Sequence, residues 1–332
     1  MKPVRILLVS PVFHGYWNAM STALERRGHQ VTVHCYDAAG PFNQRLGNKL
    51  LHELPEKWRP VKVEQKLTDR ALAALNAAGP DVVVLVKGDQ LGPDWWQALD
   101  ERRIPRVTWL YDELRRMRYT PEQLRNAGPI ASYSRQDTES LTEQGIEARH
   151  VPLAFDDSVP VPRIREDHIS FIGARYDSRE NLLRELAASA VPVKAYGRTW
   201  SRHPFDVLRT RQFSSAGIPV GRDMARAEAY GVMQGSPATL NLHGDQDGFT
   251  MRTFEAAGVG ALQILDRADV DSMYDVGDEV LVFESAEELV ELCRRALLDG
   301  HWAQRIRMAG QRRTLEQHTF GHRIATLEEL WG

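Results

Sequence analysis

The hydrophobic pattern of this chain alternates between short apolar runs and longer amphipathic segments over most of its length. The first run, at residues 4–9, is almost continuously apolar, which is typical of a parallel strand buried on both faces. A helical pattern ended by Gly28 follows it, and a second apolar run comes at residues 31–36. Strands that alternate with helices in this way predict an α/β fold with doubly wound parallel sheets.

The same alternation predicts the elements of two successive halves, while residues 40–65 have no clear periodicity. In the first half we predict further strands at 80–86, 105–110, 130–134 and 148–153, and helices at 72–78, 94–99 and 137–144. In the second half we predict strands at 168–173, 191–197, 239–242, 261–265 and 280–283, and helices at 178–188, 224–233, 249–257, 286–298, 301–317 and 321–331.

A domain boundary is predicted at residues 154–165, with the sequence AFDDSVPVPRIR. The segment is rich in proline and aspartate and has no periodicity, as is typical of a linker. The chain has 332 residues, more than a usual single domain, so two domains are expected. We place the first at residues 1–155 and the second at 166–317.

Composition places the chain among ordinary globular proteins, with 42% hydrophobic and 26% charged residues. A formal net charge of -3 gives no overall basic field for nucleic acid or membrane. The arginines between residues 102 and 118 form a local exception. We interpret them as a solvated helix face; the alternative is a site for an acidic acceptor or a membrane surface.

The cysteines and the start of the chain bear on the compartment. Cys35 and Cys293 each lie in an apolar run without a partner at metal-ligand spacing, so we expect two buried thiols. The first apolar run is too short for a signal peptide, and no stretch is long enough to span a bilayer. A cytoplasmic protein is therefore expected.

Candidate chemistry concentrates at residues 239–266, a predicted strand–loop–helix–strand unit. The loop, at residues 243–248, carries acids and glycines directly before the helix. In an open α/β sheet, ligands bind at the carboxyl ends of the strands. The N-terminus of a helix also offers free N–H groups that suit a phosphate.

The spacing within this unit resembles a known signature. Asp247 and Glu255 are separated by seven residues; Gly248-Phe249 follows the first acid and residues 256–258, AAG, follow the second. This resembles the retaining, GT-B-fold glycosyltransferases of family 4, in which two acids so spaced flank a nucleotide-sugar. The chain departs from that pattern in having aspartate where the first acid is usually glutamate.

Three further segments resemble one branch of that family. They are residues 252–255, RTFE, residues 260–263, GALQ, and residues 318–323, HTFGHR. Together they are similar to the spore-maturation-type glycosyltransferases, which have a "glycosyl transferases group 1" C-terminal domain. The resemblance extends from about residue 169 to the C-terminus.

The resemblance implies a GT-B fold, with two Rossmann-like domains facing a cleft. Residues 1–155 would bind the acceptor, residues 166–317 would bind a nucleotide-diphosphate sugar such as a UDP-sugar, and residues 318–332 would form a helix that returns to the first domain. The acceptor stays open, as a glycan, a small molecule, a protein or another polymer. No cofactor or metal is expected to be required.

The resemblance also implies roles for individual residues. Asp247 would lie near the sugar, and Glu255 would bind the ribose hydroxyls or, alternatively, pair with Arg252. Arg175 and Arg252 would bind the diphosphate, although either could be a solvated arginine, and Arg179 could contact phosphate or lie at the surface. The remaining donor contacts would be His243, Gly248, Phe249, Thr253 and Gly15. His243 could face the diphosphate or could be a structural hydrogen-bond donor at the end of its strand.

In the first domain, Asp112 follows a predicted strand and is the candidate general base if the sugar is transferred with inversion. With retention it would bind the acceptor, and its structural alternative is the N-cap of a helix at residues 114–117. His14 is a candidate catalytic residue beside Gly15 in the same wall of the cleft.

A metal site and three other functions remain to be weighed. Residues 245–247, DQD, could hold Mg²⁺ beside phosphates, which we treat as the minor alternative. A nucleotide-sugar 2-epimerase or a non-catalytic nucleotide-sugar-binding protein would fit the same architecture. A dehydrogenase is disfavoured because no Gly-x-Gly-x-x-Gly follows the first strand.

Overall fold

The computed structural model describes residues 2–12, 15–38 and 61–331. The chain forms two compact units, which we call the N-terminal unit, Met1–Leu153 with Phe320–Gly332, and the C-terminal unit, Ala154–Thr319. Each unit has a six-stranded sheet in which all neighbouring strands run parallel.

The N-terminal unit has the strand order β2-β1-β3-β4-β5-β6. Its strands are β1 Arg5–Ser10, β2 Gln30–Cys35, β3 Val82–Val86, β4 Arg106–Leu110, β5 Ile130–Ser132 and β6 Ala148–His150. Its helices are α1 Tyr16–Arg26, α2 Val61–Ala78, α3 Pro93–Glu101, α4 Pro121–Asn126, α5 Arg135–Glu143 and the last helix of the chain, α12 Phe320–Trp331, with a 3-10 turn at Leu114–Arg116.

Helix α12 packs against α1 and β4 of the N-terminal unit, although it lies at the far end of the sequence. The Phe320 ring lies 6.4 Å from the ring of Tyr16 and 6.2 Å from that of Trp109. The buried Glu328 carboxylate accepts hydrogen bonds from Arg27, at 2.5 and 2.6 Å. Apolar burial and a paired charge therefore both hold this helix in place.

The C-terminal unit has the strand order β12-β11-β10-β7-β8-β9. Its strands are β7 Ile169–Ile172, β8 Val193–Tyr196, β9 Val220–Gly221, β10 Thr239–Asn241, β11 Gln263–Leu265 and β12 Leu281–Val282. Its helices are α6 Asp177–Ala188, α7 Pro204–Thr210, α8 Arg226–Gly235, α9 Met251–Gly258, α10 Ala286–Leu298 and α11 Gly300–Gln317, with a 3-10 turn at Ala268–Ser272.

The order of the strands identifies the edge at which a ligand site is expected. In the C-terminal unit the chain runs outward from β7 to β9 and then returns to the other side of β7 with β10, so the winding reverses between β7 and β10. In the N-terminal unit it reverses between β1 and β3. Ligands of open α/β sheets bind beside such reversals, at the carboxyl ends of the strands.

Most predicted elements are present, and the differences have local causes. Helix α2 begins at Val61, eleven residues before its predicted start, and α4 and α7 were not predicted. Residues 39–60, within the aperiodic stretch, lie outside the described residues. Cys293 is buried as expected, but Cys35 is only partly buried; burial raises the pKa of both thiols, to about 12 and about 11.

None of the helices in the described ranges is long and apolar enough to cross a membrane.

Candidate functional site

The N-terminus of α9 follows β10 at the reversal of the C-terminal sheet. Thr250 occupies the N-cap position and makes no side-chain cap hydrogen bond, and the first turn contains no acid. The first N–H groups of a helix have no partner within the helix, and its N-terminal end carries a partial positive charge. This helix end is therefore suited to an anion.

His243 and Asp266 connect the loops that follow β10 and β11. The backbone N–H of His243 donates to the Asp266 carboxylate at 2.9 and 3.0 Å, and its Nδ1 lies 2.8 Å from Oδ1. Burial would raise the pKa of Asp266, but the hydrogen bonds from His243 outweigh it and lower the pKa overall. The structural role considered for His243 is thus present, and its phosphate contact stays a prediction.

Thr253 fastens α9 to the sheet beneath it. Its hydroxyl lies 3.3 Å from Nε2 of His243 and accepts a hydrogen bond from Asn241 Nδ2 at 2.8 Å. Gln263 Nε2 donates to the Thr253 carbonyl at 3.1 Å. The Thr253 side chain is fully buried, so it fixes the helix end through these bonds, and its predicted donor contact remains untested.

Glu255 lies inside the unit with an arginine beside it. Its side chain is 1% exposed, and Oε2 lies 2.8 Å from Nη1 of Arg252, which is 26% exposed. The Tyr230 hydroxyl donates to Oε1 at 3.3 Å. A buried carboxylate needs such partners because its desolvation is costly. The ion pair offered as the alternative for Glu255 is present, and the ribose contact stays a prediction.

Arg267 holds the loop that carries Asp247, and sequence reasoning missed it. Its guanidinium lies 4.2 Å from the centroid of the Phe249 ring and donates to the carbonyls of Gln246, at 2.9 Å, and Gly248, at 3.4 Å. The loop backbone is therefore fixed by the second residue after β11. The signal was a charged residue at the carboxyl end of a predicted strand, the same signal that drew attention to residues 243–248.

Arg175 is engaged in a structural ion pair. Its guanidinium donates to both oxygens of Glu180, at 2.6 and 3.0 Å, and to the Ser214 carbonyl at 2.9 Å. The two charged side chains are only 6% and 9% exposed. The donors expected to bind a diphosphate are thus occupied within the C-terminal unit, so this geometry gives the prediction for Arg175 no support.

Arg179 lies at the reversal of the sheet. It donates to the Ala174 carbonyl, after β7, at 3.1 Å, and to the Leu242 carbonyl, after β10. Its Nε is buried without a hydrogen-bond partner, and in the described ranges no carboxylate lies within ion-pair distance of it; Asp266 interacts with it only at longer range. Burial lowers the pKa of this guanidinium. The alternative of a surface arginine is wrong.

In the N-terminal unit, Asp112 forms an ion pair with Lys87, which follows β3 and has a φ of 63°. The N-cap role considered for Asp112 is wrong, because Glu113 occupies that position and the N–H of Leu114 donates to Asp137 at 2.8 Å. The acceptor and base roles of Asp112 are untested.

Gly15 is the N-cap of α1 and has a φ of 77°, a conformation that favours glycine. It therefore meets the structural need of a turn, and its donor contact stays a prediction. His14, the third catalytic candidate, lies outside the described residues.

The acids of the DQD segment lie on the loop before α9, with Asp245 exposed and Asp247 half-buried. Within the described ranges, no three or more histidine, cysteine, aspartate or glutamate side chains are grouped so that they could hold a metal ion.

Comparisons with known proteins agree with this architecture. Residues 175–329 match a family model described as glycosyl transferase-like. Sucrose-phosphate synthase from Thermosynechococcus elongatus superposes with a TM-score of 0.65 at 15% identity, over 98% of each chain. The fold is that of the GT-B glycosyltransferases. No curated protein sequence matches this chain significantly.

Two other solved structures have the same fold. The Anabaena protein HepE in complex with UDP-glucose gives a TM-score of 0.62 at 13% identity, over 98% of this chain and all of the other (100%). A Listeria monocytogenes protein described as a candidate UDP-N-acetylglucosamine 2-epimerase gives 0.58 at 12% identity, over 99% of this chain and 96% of the other. At these identities the likeness is one of fold.

Proposed function

We propose that the protein is a glycosyltransferase that moves a sugar from a nucleotide-diphosphate sugar to an acceptor nucleophile, and that the C-terminal unit binds the donor. The observation that carries the proposal is Arg179, a desolvated guanidinium without an ion-pair partner among the described residues, at the reversal between β7 and β10. The glycosyl transferase-like match and the GT-B neighbours support the same class of reaction.

The chemistry of the donor explains why such a cation is needed. Breaking the bond between sugar and diphosphate leaves negative charge on the phosphate oxygens, and fixed donors aimed at that charge lower the barrier. Arg179 and the N-terminal end of α9, where the Thr250 side chain makes no cap hydrogen bond, offer positive potential at the same edge of the sheet. A diphosphate would also supply the counter-charge that Arg179 lacks, which favours binding.

The nucleoside end of the donor is assigned to Glu255 and Arg252. Arg252 uses Nη1 for Glu255, and its partly exposed guanidinium has further N–H groups for a phosphate. The long hydrogen bond from Tyr230 can be exchanged for one from a ribose hydroxyl, because the carboxylate has several acceptor positions. The resemblance to family 4 assigns the sugar contact to Asp247, on the loop that Arg267 fixes.

The acceptor side is assigned to the N-terminal unit, with Asp112 as its candidate acid. The Lys87 ammonium beside it orients the carboxylate after β4. With inversion, Asp112 would take the proton of the acceptor hydroxyl; with retention, it would bind the acceptor. The spore-maturation branch, on the RTFE and HTFGHR segments, is part of this proposal.

The test begins with a thermal-shift screen against nucleotide-sugars with different bases and sugars. A ligand that binds only the folded state raises the melting temperature, so the true donor should give a concentration-dependent rise. The Glu255→Gln variant should lose this rise, whereas Glu287→Gln, which alters an exposed acid on α10, should retain it. An unchanged rise in Glu255→Gln would remove that residue from the site.

Turnover then separates the candidate functions. A glycosyltransferase consumes the donor in a reaction that depends on an added acceptor and releases a nucleoside diphosphate. A 2-epimerase converts the donor without an acceptor into an isomer that retains the nucleotide. Tight donor binding with neither outcome, across a panel of sugar, lipid and protein acceptors, would identify a binding protein and refute the proposed reaction.

A further inference from the structure

Helix α7 presents apolar and basic side chains to solvent. Phe205, Leu208 and Arg209 are spaced three and four residues apart, so they share one face of the helix. Phe205 is 58% exposed, Leu208 is 73% exposed and Arg209 is also exposed. A surface helix of a globular protein normally turns its apolar stripe to the core, and α7 does the reverse.

The opposite side of α7 is anchored to the C-terminal unit by polar contacts. Asp206 is buried and accepts hydrogen bonds from the Ser201 hydroxyl at 2.7 Å and from Arg222 Nε at 2.9 Å. A rotation that turned Leu208 inward would break these bonds and bring the carboxylate out. The outward direction of the apolar side chains is therefore fixed by the buried acid.

Two further aromatic side chains are exposed outside the helix. Phe213 is 76% exposed and Tyr176 is 58% exposed. Tyr176 directly follows Arg175, and Phe213 directly precedes Ser214. Arg175 Nη1 donates a hydrogen bond to the Ser214 carbonyl at 2.9 Å and so joins the two segments. The two aromatic residues are thus held in the same region. We call the whole set the apolar-basic surface: Tyr176, Phe205, Leu208, Phe213, Arg202, Arg209 and Arg211.

The exposed charge along residues 202–213 of this surface has one sign, whereas the exposed Asp177 follows Tyr176. In residues 202–213, a range that the structure describes throughout, the exposed charged side chains are all arginines, and the one acid is the buried Asp206. The whole chain has a net charge of -3, so this positive region is local. Guanidinium groups beside exposed aromatic and aliphatic side chains match the boundary between lipid headgroups and acyl chains.

We propose that the apolar-basic surface docks the C-terminal unit on an anionic lipid bilayer. The aromatic and leucine side chains would enter the headgroup region, while the arginines pair with lipid phosphates. A protein partner is less favoured, because arginines without any acid among them do not specify the alternating ion pairs that fix one docking register. Binding to an anionic bilayer requires only that the protein surface is positively charged and exposes apolar area.

The test is co-sedimentation of the whole protein with vesicles of phosphatidylcholine alone and of phosphatidylcholine mixed with phosphatidylglycerol. Binding should require the anionic lipid and should weaken as salt screens the charges. The variant Phe205→Ser/Leu208→Ser/Phe213→Ser and the variant Arg209→Gln/Arg211→Gln should each lose roughly tenfold or more in vesicle affinity.

Matched controls come from other exposed positions of the same unit. Leu298, 87% exposed at the end of α10, and Met308, exposed on α11, are changed together to serine; the exposed Arg305 and Arg312 are changed together to glutamine. Both controls should bind vesicles as the unaltered protein does. Absence of binding to the anionic vesicles, or equal loss in control and test variants, would overturn the proposal.

One further outcome distinguishes a self-association surface. If the triple serine variant changes the molar mass measured by light scattering and the unaltered protein does not bind vesicles, the surface pairs copies of this chain and the lipid proposal fails. Circular dichroism and melting temperature establish that each variant is folded before its vesicle binding is compared.

Discussion

Arg175 and Arg179 lie four residues apart, and the structure predicts opposite consequences for their loss. Arg175 is bound to both oxygens of Glu180 through Nε and Nη2, whereas the hydrogen bonds of Arg179 go only to carbonyls. Changing Arg175 to methionine should therefore reduce stability and leave the donor affinity of the folded protein intact. Changing Arg179 to methionine should reduce donor affinity and have a smaller effect on stability.

The magnitudes follow from the contacts that each change removes. Losing one partner of a buried ion pair destabilises the folded state by about 3 kcal/mol or more. We use the smaller value for Arg175→Met, because Glu180 keeps its second ion-pair partner, Arg184. For a unit of this size that corresponds to a fall of about 6–12 °C in melting temperature. In Arg179→Met, two hydrogen bonds of about 1 kcal/mol each are lost together with the cation–π contacts to the Tyr176 and Phe171 rings, at 4.9 and 5.6 Å. Removal of a desolvated cation offsets part of that cost.

Donor affinity is the second readout. A charge-assisted hydrogen bond to a phosphate contributes about 1.5–3 kcal/mol, so Arg179→Met should weaken nucleotide-diphosphate-sugar binding by roughly ten- to a hundredfold. Isothermal titration at a temperature at which both variants are fully folded measures this directly, and urea unfolding measures stability. A nucleoside without phosphates should bind both variants weakly and equally, as a control for the phosphate contact.

The reverse pattern would refute the reasoning. If Arg175→Met lost donor affinity while Arg179→Met retained it, the diphosphate would be bound by the arginine that the structure pairs with Glu180. If Arg179→Met instead lost as much stability as Arg175→Met, Arg179 would be a structural residue, and the single observation that carries the proposed function would be gone.

Two further predictions concern stability. Asp266→Asn should lower the free energy of unfolding at pH 7, and the difference from the unaltered protein should shrink in acid. The reason is that the hydrogen bonds from His243 lower the pKa of the Asp266 carboxyl in the folded state. The stabilisation is therefore present above the unfolded-state pKa of about 4 and is lost as the pH falls through the folded-state pKa. Urea titrations over that range measure it, and a constant difference would contradict it. Gly88→Ala and Gly145→Ala both place alanine at a positive φ, 82° and 75°, but a Cβ at Gly88 would lie 2.5 Å from Leu85 Cδ2, and one at Gly145 would meet nothing within 4 Å. Gly88→Ala should therefore cost about 1–3 kcal/mol more, and equal costs would show that Leu85 gives way freely.

The strands were predictable because a parallel strand buried on both faces leaves a run of apolar residues. Residues 80–86, for example, contain β3, Val82–Val86, in which every residue is buried. Helix α4 was missed although its signal was present: Thr120 and Gln123 form a capping box with Pro121 at the first helical position. Helix α7 was missed for a physical reason, since its seven residues make fewer than two turns and are too few to show a helical period.

The strand–loop–helix unit that carries the candidate site was predictable, whereas the contacts of its individual residues were less so. The carboxyl end of β10 and the start of α9 follow from the strand–loop–helix pattern, which local sequence encodes. The choice between Arg175 and Arg179 depends on Ser214, which comes from a distant segment, and on the partner that Glu180 selects. Such tertiary contacts leave no trace in the spacing of the residues, and a resemblance to a family signature does not supply them.

The cation at the carboxyl edge of the sheet has an ion-pair partner in one unit and not in the other, among the described residues. This difference favours different ligands for the two units. In the N-terminal unit Lys87 is neutralised by Asp112, so a strongly anionic ligand there would have to displace a carboxylate. In the C-terminal unit Arg179 has no ion-pair partner in the part of the chain that the structure describes, and the uncapped end of α9 lies after the neighbouring strand. A diphosphate gains more by binding at the second edge than at the first, because Arg179 is a half-buried cation with carbonyl and aromatic contacts but no ion-pair partner among the described residues. A hydroxyl group has no such preference and can accept the orientation that the Lys87–Asp112 pair offers. On these electrostatic grounds we propose that the donor binds to the C-terminal unit and the acceptor to the N-terminal one.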